Sequence, residues 1–183
     1  MNNNTTVTTA ADFNYRRAWI VWSITAGVST TIVALIIVAP LSQAAGHPQL
    51  AAAIYKAFSL VCHQLPDRSF HVAGNQFAVC SRCTGLYSGF AIAALAYPLV
   101  RPLSSANAPK QIWLIVAALP LAIDFSLGYF AIWPNTHLSR FLTGALFGSV
   151  TVCYIMPGLV ELMSLGQRVR RRSEGDSIRI QPE

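Results

Sequence analysis

Four long apolar segments, separated by shorter polar stretches, dominate the chain. They cover roughly residues 18–40, 84–100, 111–133 and 138–163. A helix needs about 20 residues to cross the hydrocarbon core of a bilayer, and each segment is at or near that length. The pattern predicts an all-α integral membrane protein with four transmembrane helices in a single domain, residues 18–163. Residues 1–17 are expected to be disordered, and residues 164–183 to form a basic cytoplasmic tail.

Composition supports this interpretation. Hydrophobic residues make up 54% of the 183 positions and charged residues 11%, whereas soluble domains carry about 25% charged residues. That shortfall argues against a soluble enzyme. The basic residues lie at the ends of apolar segments and not in a patch, so we expect the lipid bilayer, and no nucleic acid, as a partner. The first segment could be a cleaved signal peptide, but its apolar core is longer than the roughly 7–15 residues of such peptides.

The 13 basic residues predict the orientation, because cytoplasmic loops carry an excess of Lys and Arg. With both termini in the cytoplasm, nine lie inside: Arg16, Arg17, Arg101, Lys110, Arg168, Arg170, Arg171, Arg172 and Arg179. Four lie outside: Lys56, Arg68, Arg82 and Arg140. We therefore expect a multi-pass protein of the cytoplasmic (inner) membrane whose longest loop, residues 41–83, faces outward.

That loop has an amphipathic pattern of its own. His47-Pro48 predicts the start of a helix, and Leu50, Ile54, Phe58 and Val61 follow on one helical face. We expect a short interfacial helix that brings the chain to Cys62 at membrane level.

A cluster of cysteines at the end of this loop is the strongest candidate for chemistry. Cys80 and Cys83 form a C-x-x-C pair, and Cys62 and His63 precede Cys80 by less than 20 residues. Thiolate and imidazole ligands at such spacings favour tetrahedral zinc. The predicted metal ligands are therefore Cys62, His63, Cys80 and Cys83, although adjacent Cys-His ligands are awkward and His63 is also a candidate proton carrier. Cys153 lies apart and is expected to be inert.

Two other uses of the cysteines stay open. Cys80 and Cys83 could form a redox pair that exchanges with Cys62, since C-x-x-C spacing favours thiolate. A plain structural disulfide would leave one of the three thiols without a partner, and disulfide frameworks usually use even numbers.

The motifs resemble a known family. The first is Cys62-His63-Gln64-x-Pro66-x-Arg68-Ser69-Phe70, followed by Gly74 and by Cys80-x-Arg82-Cys83-x-Gly85-x-Tyr87. A later element comprises Asp124 and Asn135-x-x-x-x-Arg140-x-x-Thr143-Gly144. Together, over residues 58–148, they are similar to the uncharacterised prokaryotic membrane-protein family called domain of unknown function 2085. The family pattern implies Gly and Gln where this chain has Phe125 and Gly128. The resemblance supports the site and implies no activity.

Polar residues within the spans complete the candidate site. A carboxylate such as Asp124 costs about 3 kcal/mol within a bilayer, so it should face the bundle interior and pair with a partner, for example Thr143. Arg68, Arg82 and Arg140 could bind an anion, such as an anionic lipid or an isoprenoid phosphate, because guanidinium forks match phosphate. Asp124 and the three arginines are the candidate catalytic residues. Gly85-x-x-x-Gly89 and Gly144-x-x-x-Gly148 predict contact between the second and fourth spans, which would bring Cys83 near Arg140.

Three functions follow from these features. The first is a membrane protein with an outward-facing Cys/His zinc site, structural or catalytic. The second is a membrane thiol-disulfide oxidoreductase that uses Cys80 and Cys83. The third is a non-enzymatic scaffold or accessory subunit.

Overall fold

A computed structural model describes residues 4–179, except residues 104 and 106, and the side chains within residues 15–163. The described helices are α1 (Asn4–Ala44), α2 (Pro48–Ser59), α3 (Ser81–Val100), α4 (Ile112–Tyr129) and α5 (His137–Arg179). Four stretches are long and apolar enough to cross a membrane: Tyr15–Ala44, Ser81–Val100, Ile112–Tyr129 and His137–Met163. The all-α class and the four candidate spans are therefore confirmed.

The first and last helices extend past their expected bounds. α1 begins at Asn4 and so includes most of the segment that was expected to be disordered, while residues 1–3 lie outside the described chain. α5 continues to Arg179 through most of the basic tail. Extending an existing helix by one residue costs far less than nucleating a new one, which explains why weak helix formers can follow a stable span.

The closest packing joins α3 to α5 through glycines. The four positions are Gly85, Gly89, Gly144 and Gly148. A Cβ at any of them would collide with the backbone of the opposing helix, as a Cβ on Gly148 would with the carbonyl oxygen of Leu86. Glycine thus lets the two helix backbones touch, and the predicted contact between the second and fourth spans is confirmed.

α1 holds the other elements through two apolar clusters. The first joins it to α3 and α5 and comprises Ala18, Val21, Ala94, Tyr97, Leu103, Val152 and Met156. The Trp22 indole adds a hydrogen bond of 2.7 Å from Nε1 to the Ala94 carbonyl. The second cluster attaches the long loop to α1 and comprises Ile36, Ala39, Ile54, Phe58, Cys62, Ala78 and Val79. Cys62 therefore belongs to the packed part of the loop.

The helix expected within the loop is present as α2, which begins directly after His47. Its buried residues are Ala51, Ile54 and Phe58. Leu50 and Val61 were expected on the same face but are 52% and 61% exposed. The buried face is therefore rotated toward the small Ala51, because α2 packs closely against α1.

A short hairpin was not predicted. β1 (His71–Val72) pairs antiparallel with β2 (Asn75–Gln76). The turn between them, Ala73-Gly74, has positive φ at both residues, as tight hairpin turns of the I′ type require. It follows the single 3₁₀ turn at Pro66–Arg68 and returns the chain toward Cys80.

α4 lies at the edge of the bundle. Its buried residues are Ala117 and Asp124, and most of its large apolar side chains are exposed. Such a helix suits contact with lipid on most of its circumference. Its attachment near one end depends on polar contacts, which belong to the site described next.

Candidate metal and anion site

Three cysteine thiols meet where the long loop joins α3. Cys62 comes from the segment after α2, Cys80 is the N-cap residue of α3, and Cys83 lies in its first turn. Their Sγ atoms all lie within 4.8 Å of one another. The Cys80 backbone N–H donates a hydrogen bond of 3.2 Å to the Cys62 Sγ. All three are free thiols, as is Cys153, which is not in this group.

Gln64 holds the two cysteine-bearing segments together. Its Nε2 donates to the carbonyl oxygens of Tyr55, at 2.7 Å, and of Ala78, at 2.8 Å. Its own backbone has a φ of 50°, a left-handed conformation that non-glycine residues seldom adopt. This left-handed residue lies between Cys62 and the 3₁₀ turn at Pro66–Arg68.

The three thiols interact through hydrogen bonds. Hydrogen bonds from the side chains of Cys80 and Cys83 hold the pKa of the Cys62 thiol well below its usual range, with smaller contributions from the backbone N–H groups of Cys80 and Gln64. A thiolate, and not a thiol, is the form of cysteine that binds a metal or attacks a disulfide. The lowered pKa of Cys62 therefore favours both metal binding and attack on a disulfide.

His63 lies apart from the sulfur group. The set of close potential ligands among the described residues is Cys62, Cys80 and Cys83, without His63. Neighbouring residues in a bend direct their side chains differently, so that Cys62 is buried and His63 is exposed. His63 does line the cavity beside the thiols. Its predicted ligation is therefore not supported by the geometry, and a role in proton transfer stays open.

Asp124 forms the polar attachment of α4. Its carboxylate accepts hydrogen bonds from the Arg82 Nη2, with which it forms an ion pair, and from the Ser139 Oγ at 2.8 Å. The suggested partner was Thr143, but its hydroxyl donates within α5 to the carbonyl oxygens of Ser139 and Arg140. That suggestion was wrong by one helical turn.

Asp124 lies near one end of α4 and not at its middle. It lies five residues before the end of α4 at Tyr129, or about 7–8 Å along the helix axis. The ends of α3 and α5 that carry Arg82 and Arg140 are at the same side of the bundle, since all three helices contribute to one cavity. A terminal position lowers the cost of burying this ion pair.

Three residues form contacts at the site that the sequence did not predict. The Asn135 amide donates to the Asp124 carbonyl oxygen and lies so close to Gly128 that a Cβ there would be 2.7 Å from its Nδ2. Ser139 binds the Asp124 carboxylate. His137 shares a 2.9 Å hydrogen bond with the Ser81 Oγ. The sequence could have suggested Ser139 as the partner of Asp124, because Ser139 lies one helical turn before Thr143 on the same face of α5.

A single cavity of about 620 Å³ joins the thiols to the basic side chains. Its lining includes the three cysteines, His63, Gln64, Asn135, Arg68, Arg82 and Arg140, together with Val61, Leu65, Phe125, Gly128 and Tyr129. The Arg82 guanidinium lies over the Phe125 ring, 5.4 Å from its centroid. Cys83 and Arg140 thus reach the same cavity, as the predicted contact of α3 with α5 implied.

Comparison with known proteins agrees with the resemblance of the motifs. A model of a family described as predicted membrane protein (DUF2085) matches residues 62–154, which include the three clustered cysteines, Asp124 and Arg140. An uncharacterized protein of Methanocaldococcus jannaschii is 36% identical over 110 residues, 60% of this chain and 70% of the relative. An uncharacterized protein of Methanothermobacter thermautotrophicus is 33% identical over 87 residues, 48% of this chain and 77% of the relative. No solved structure matches. The chain therefore belongs to the DUF2085 family of predicted membrane proteins.

Proposed function

We propose that this protein is a multi-pass membrane protein with a zinc centre bound by Cys62, Cys80 and Cys83. The observation that carries the proposal is the convergence of three Sγ atoms within 4.8 Å of one another at the wall of a cavity. Zinc–sulfur bonds of about 2.3 Å in a tetrahedral site place sulfurs about 3.8 Å apart. The observed grouping fits that requirement with small side-chain adjustments.

The donor set favours a site that reacts over one that only stabilises. Structural zinc sites use four protein ligands, whereas catalytic sites use three and keep one position for water or substrate. Among the described His, Cys, Asp and Glu residues, the close group contains three. Zinc bound there would supply a Lewis acid and lower the pKa of bound water. We assign His63, which lines the same cavity, to proton transfer.

The proposed orientation places the cavity outside the cytoplasmic membrane, with both termini in the cytoplasm. Its support is the distribution of basic residues, nine on the terminal side and four on the cavity side. Attachment of a membrane-impermeant thiol reagent to metal-free protein in intact cells tests it. Cys62, Cys80 and Cys83 should react from outside, and reaction only after lysis would reverse the orientation.

Metal analysis of protein purified without chelator tests the zinc centre. We expect about one zinc per chain in the wild type, loss of that zinc in Cys80→Ser and retention in Cys153→Ser. Cys153 is the matched control because it is a free cysteine of the same chain outside the close group. Zinc retained in Cys80→Ser, or absent from the wild type, would refute the proposal.

A second candidate is thiol-disulfide exchange, favoured by the free C-x-x-C pair at the N-terminus of α3 beside a third thiol. Oxidation of Cys80 and Cys83 to a disulfide would release two electrons and two protons, for which a membrane quinone is a suitable acceptor. Metal-free protein with a reversibly reducible Cys80–Cys83 bond would support this candidate over zinc. A zinc-loaded protein whose cell phenotype is unchanged by Asp124→Asn and Arg140→Ala would support a scaffold.

A further inference from the structure

We infer that the cavity binds the phosphate group of a membrane amphiphile, with the phosphate on Arg68, Arg82 and Arg140 and the apolar chain along the lipid-facing rim. This deepens the proposed function, because it names a substrate class for the same cavity. The arginines and the thiols are different residues, so the two ideas can fail separately.

The cavity carries an excess of positive charge. Three guanidinium groups line the cavity, and the carboxylate that pairs with them is Asp124, bound to Arg82. Asp67, the acidic residue of the long loop, does not line it. A zinc ion bound by three thiolates would contribute one further negative charge. The cavity therefore keeps an excess of positive charge that favours an anion.

The arginine side chains of the cavity also keep hydrogen-bond donors without an acceptor. Within the described chain, the guanidinium groups of Arg68 and Arg140 have no ion-pair or side-chain hydrogen-bond partner. Arg82 has a buried Nε that also lacks an acceptor. Guanidinium groups present paired N–H donors that match phosphate oxygens. A phosphate monoester suits three converging arginines better than a carboxylate does, because it offers more acceptor oxygens and a higher charge.

The position of the cavity and the apolar residues at its rim also fit an amphiphile. The cavity lies where α3 and α5 begin and α4 ends, the level at which the phosphates of lipids lie when these helices span a bilayer. Its apolar lining residues Val61, Phe125 and Tyr129 are 61%, 51% and 74% exposed. A cationic pocket for the phosphate head group, beside exposed apolar side chains for the hydrocarbon chain, fits an amphiphile.

Calorimetric titration of the purified protein in dodecyl maltoside tests the inference with two probes, dodecyl phosphate and inorganic phosphate. We expect dodecyl phosphate to bind more tightly than inorganic phosphate. Arg140→Gln and Arg68→Gln should each weaken its binding about tenfold or more, the effect of losing a charge-assisted hydrogen bond. Arg68 is the second variant because its side chain is exposed, so we expect the substitution to leave folding intact. Lys56→Gln is the matched control, since Lys56 is exposed on α2 and does not line the cavity.

Each outcome has one meaning. Equal affinity for both probes would overturn the amphiphile and leave a free-phosphate site. Dodecyl phosphate affinity that is unchanged in both arginine variants would overturn the anion site. Zinc-loaded wild type that binds neither probe would overturn this inference and leave the zinc centre. Zinc-free wild type with arginine-dependent binding of dodecyl phosphate would refute the zinc centre and support the inference.

Discussion

Replacing Gly148 by Ala should separate α3 from α5. A Cβ at Gly148 would collide with the carbonyl oxygen, carbonyl carbon and Cα of Leu86. These are backbone atoms within a helix, so they cannot rotate away as the tip of a side chain would, and the two helices must move apart. Overpacking of a close contact costs about 1–3 kcal/mol, and we expect the upper part of that range.

The control is Gly158→Ala in the same helix. Nothing lies within 4 Å of a Cβ at Gly158, so this change should leave stability the same or raise it by up to about 1 kcal/mol through helix propensity. Both variants gain the same propensity, and their difference in the free energy of unfolding therefore isolates the collision.

The assay is unfolding in mixed micelles with increasing sodium dodecyl sulfate, followed by tryptophan fluorescence. The chain has four tryptophans, and Trp22 reports on the contact of α1 with α3. Gly148→Ala should also weaken binding of dodecyl phosphate, because Arg82 and Arg140 lie on the two helices that separate. Equal stability of Gly148→Ala and Gly158→Ala would refute the close α3–α5 contact.

Three further substitutions test other contacts. Asp124→Asn removes the counterion of Arg82 and should lower the free energy of unfolding by about 2–3 kcal/mol, less than for a fully buried pair because Arg82 is 21% exposed; an unchanged midpoint would argue against the ion pair. Ala73→Gly relieves a φ of 50° and should raise the free energy of unfolding by up to about 1 kcal/mol. Trp22→Phe removes the hydrogen bond from the indole to the Ala94 carbonyl and should lower the free energy of unfolding by about 1 kcal/mol; an unchanged free energy of unfolding would contradict that contribution.

The sequence predicts those features that depend on periodicity and composition. The four spans are visible because a bilayer requires long apolar stretches, and contact between α3 and α5 is visible because Gly-x-x-x-Gly marks places where helices can approach. The grouping of Cys62 with Cys80 and Cys83 also follows from the motif, since the turn into α3 fixes two of the thiols.

Features that depend on tertiary packing could not be predicted in the same way. The buried face of α2 is set by its close approach to α1, which selects Ala51 over Leu50. The hairpin turn Ala73-Gly74 lacks the Asn-Gly signal of its type, and its strands have two residues each. Pairing of Asp124 with Arg82 depends on how far along α4 the carboxylate lies relative to the start of α3, and neither end is fixed by hydropathy.

The peripheral position of α4 has a consequence for the cavity, since α4 forms one of its walls. α3 and α5 are in backbone contact, whereas α4 is attached near one end by the Asp124 carboxylate and the Asn135 amide. The cavity wall formed by Phe125, Gly128 and Tyr129 lies at this attached end, so its position depends on these polar contacts. The Arg82–Asp124 ion pair therefore fixes the shape of the cavity as well as the place of α4 on the bundle.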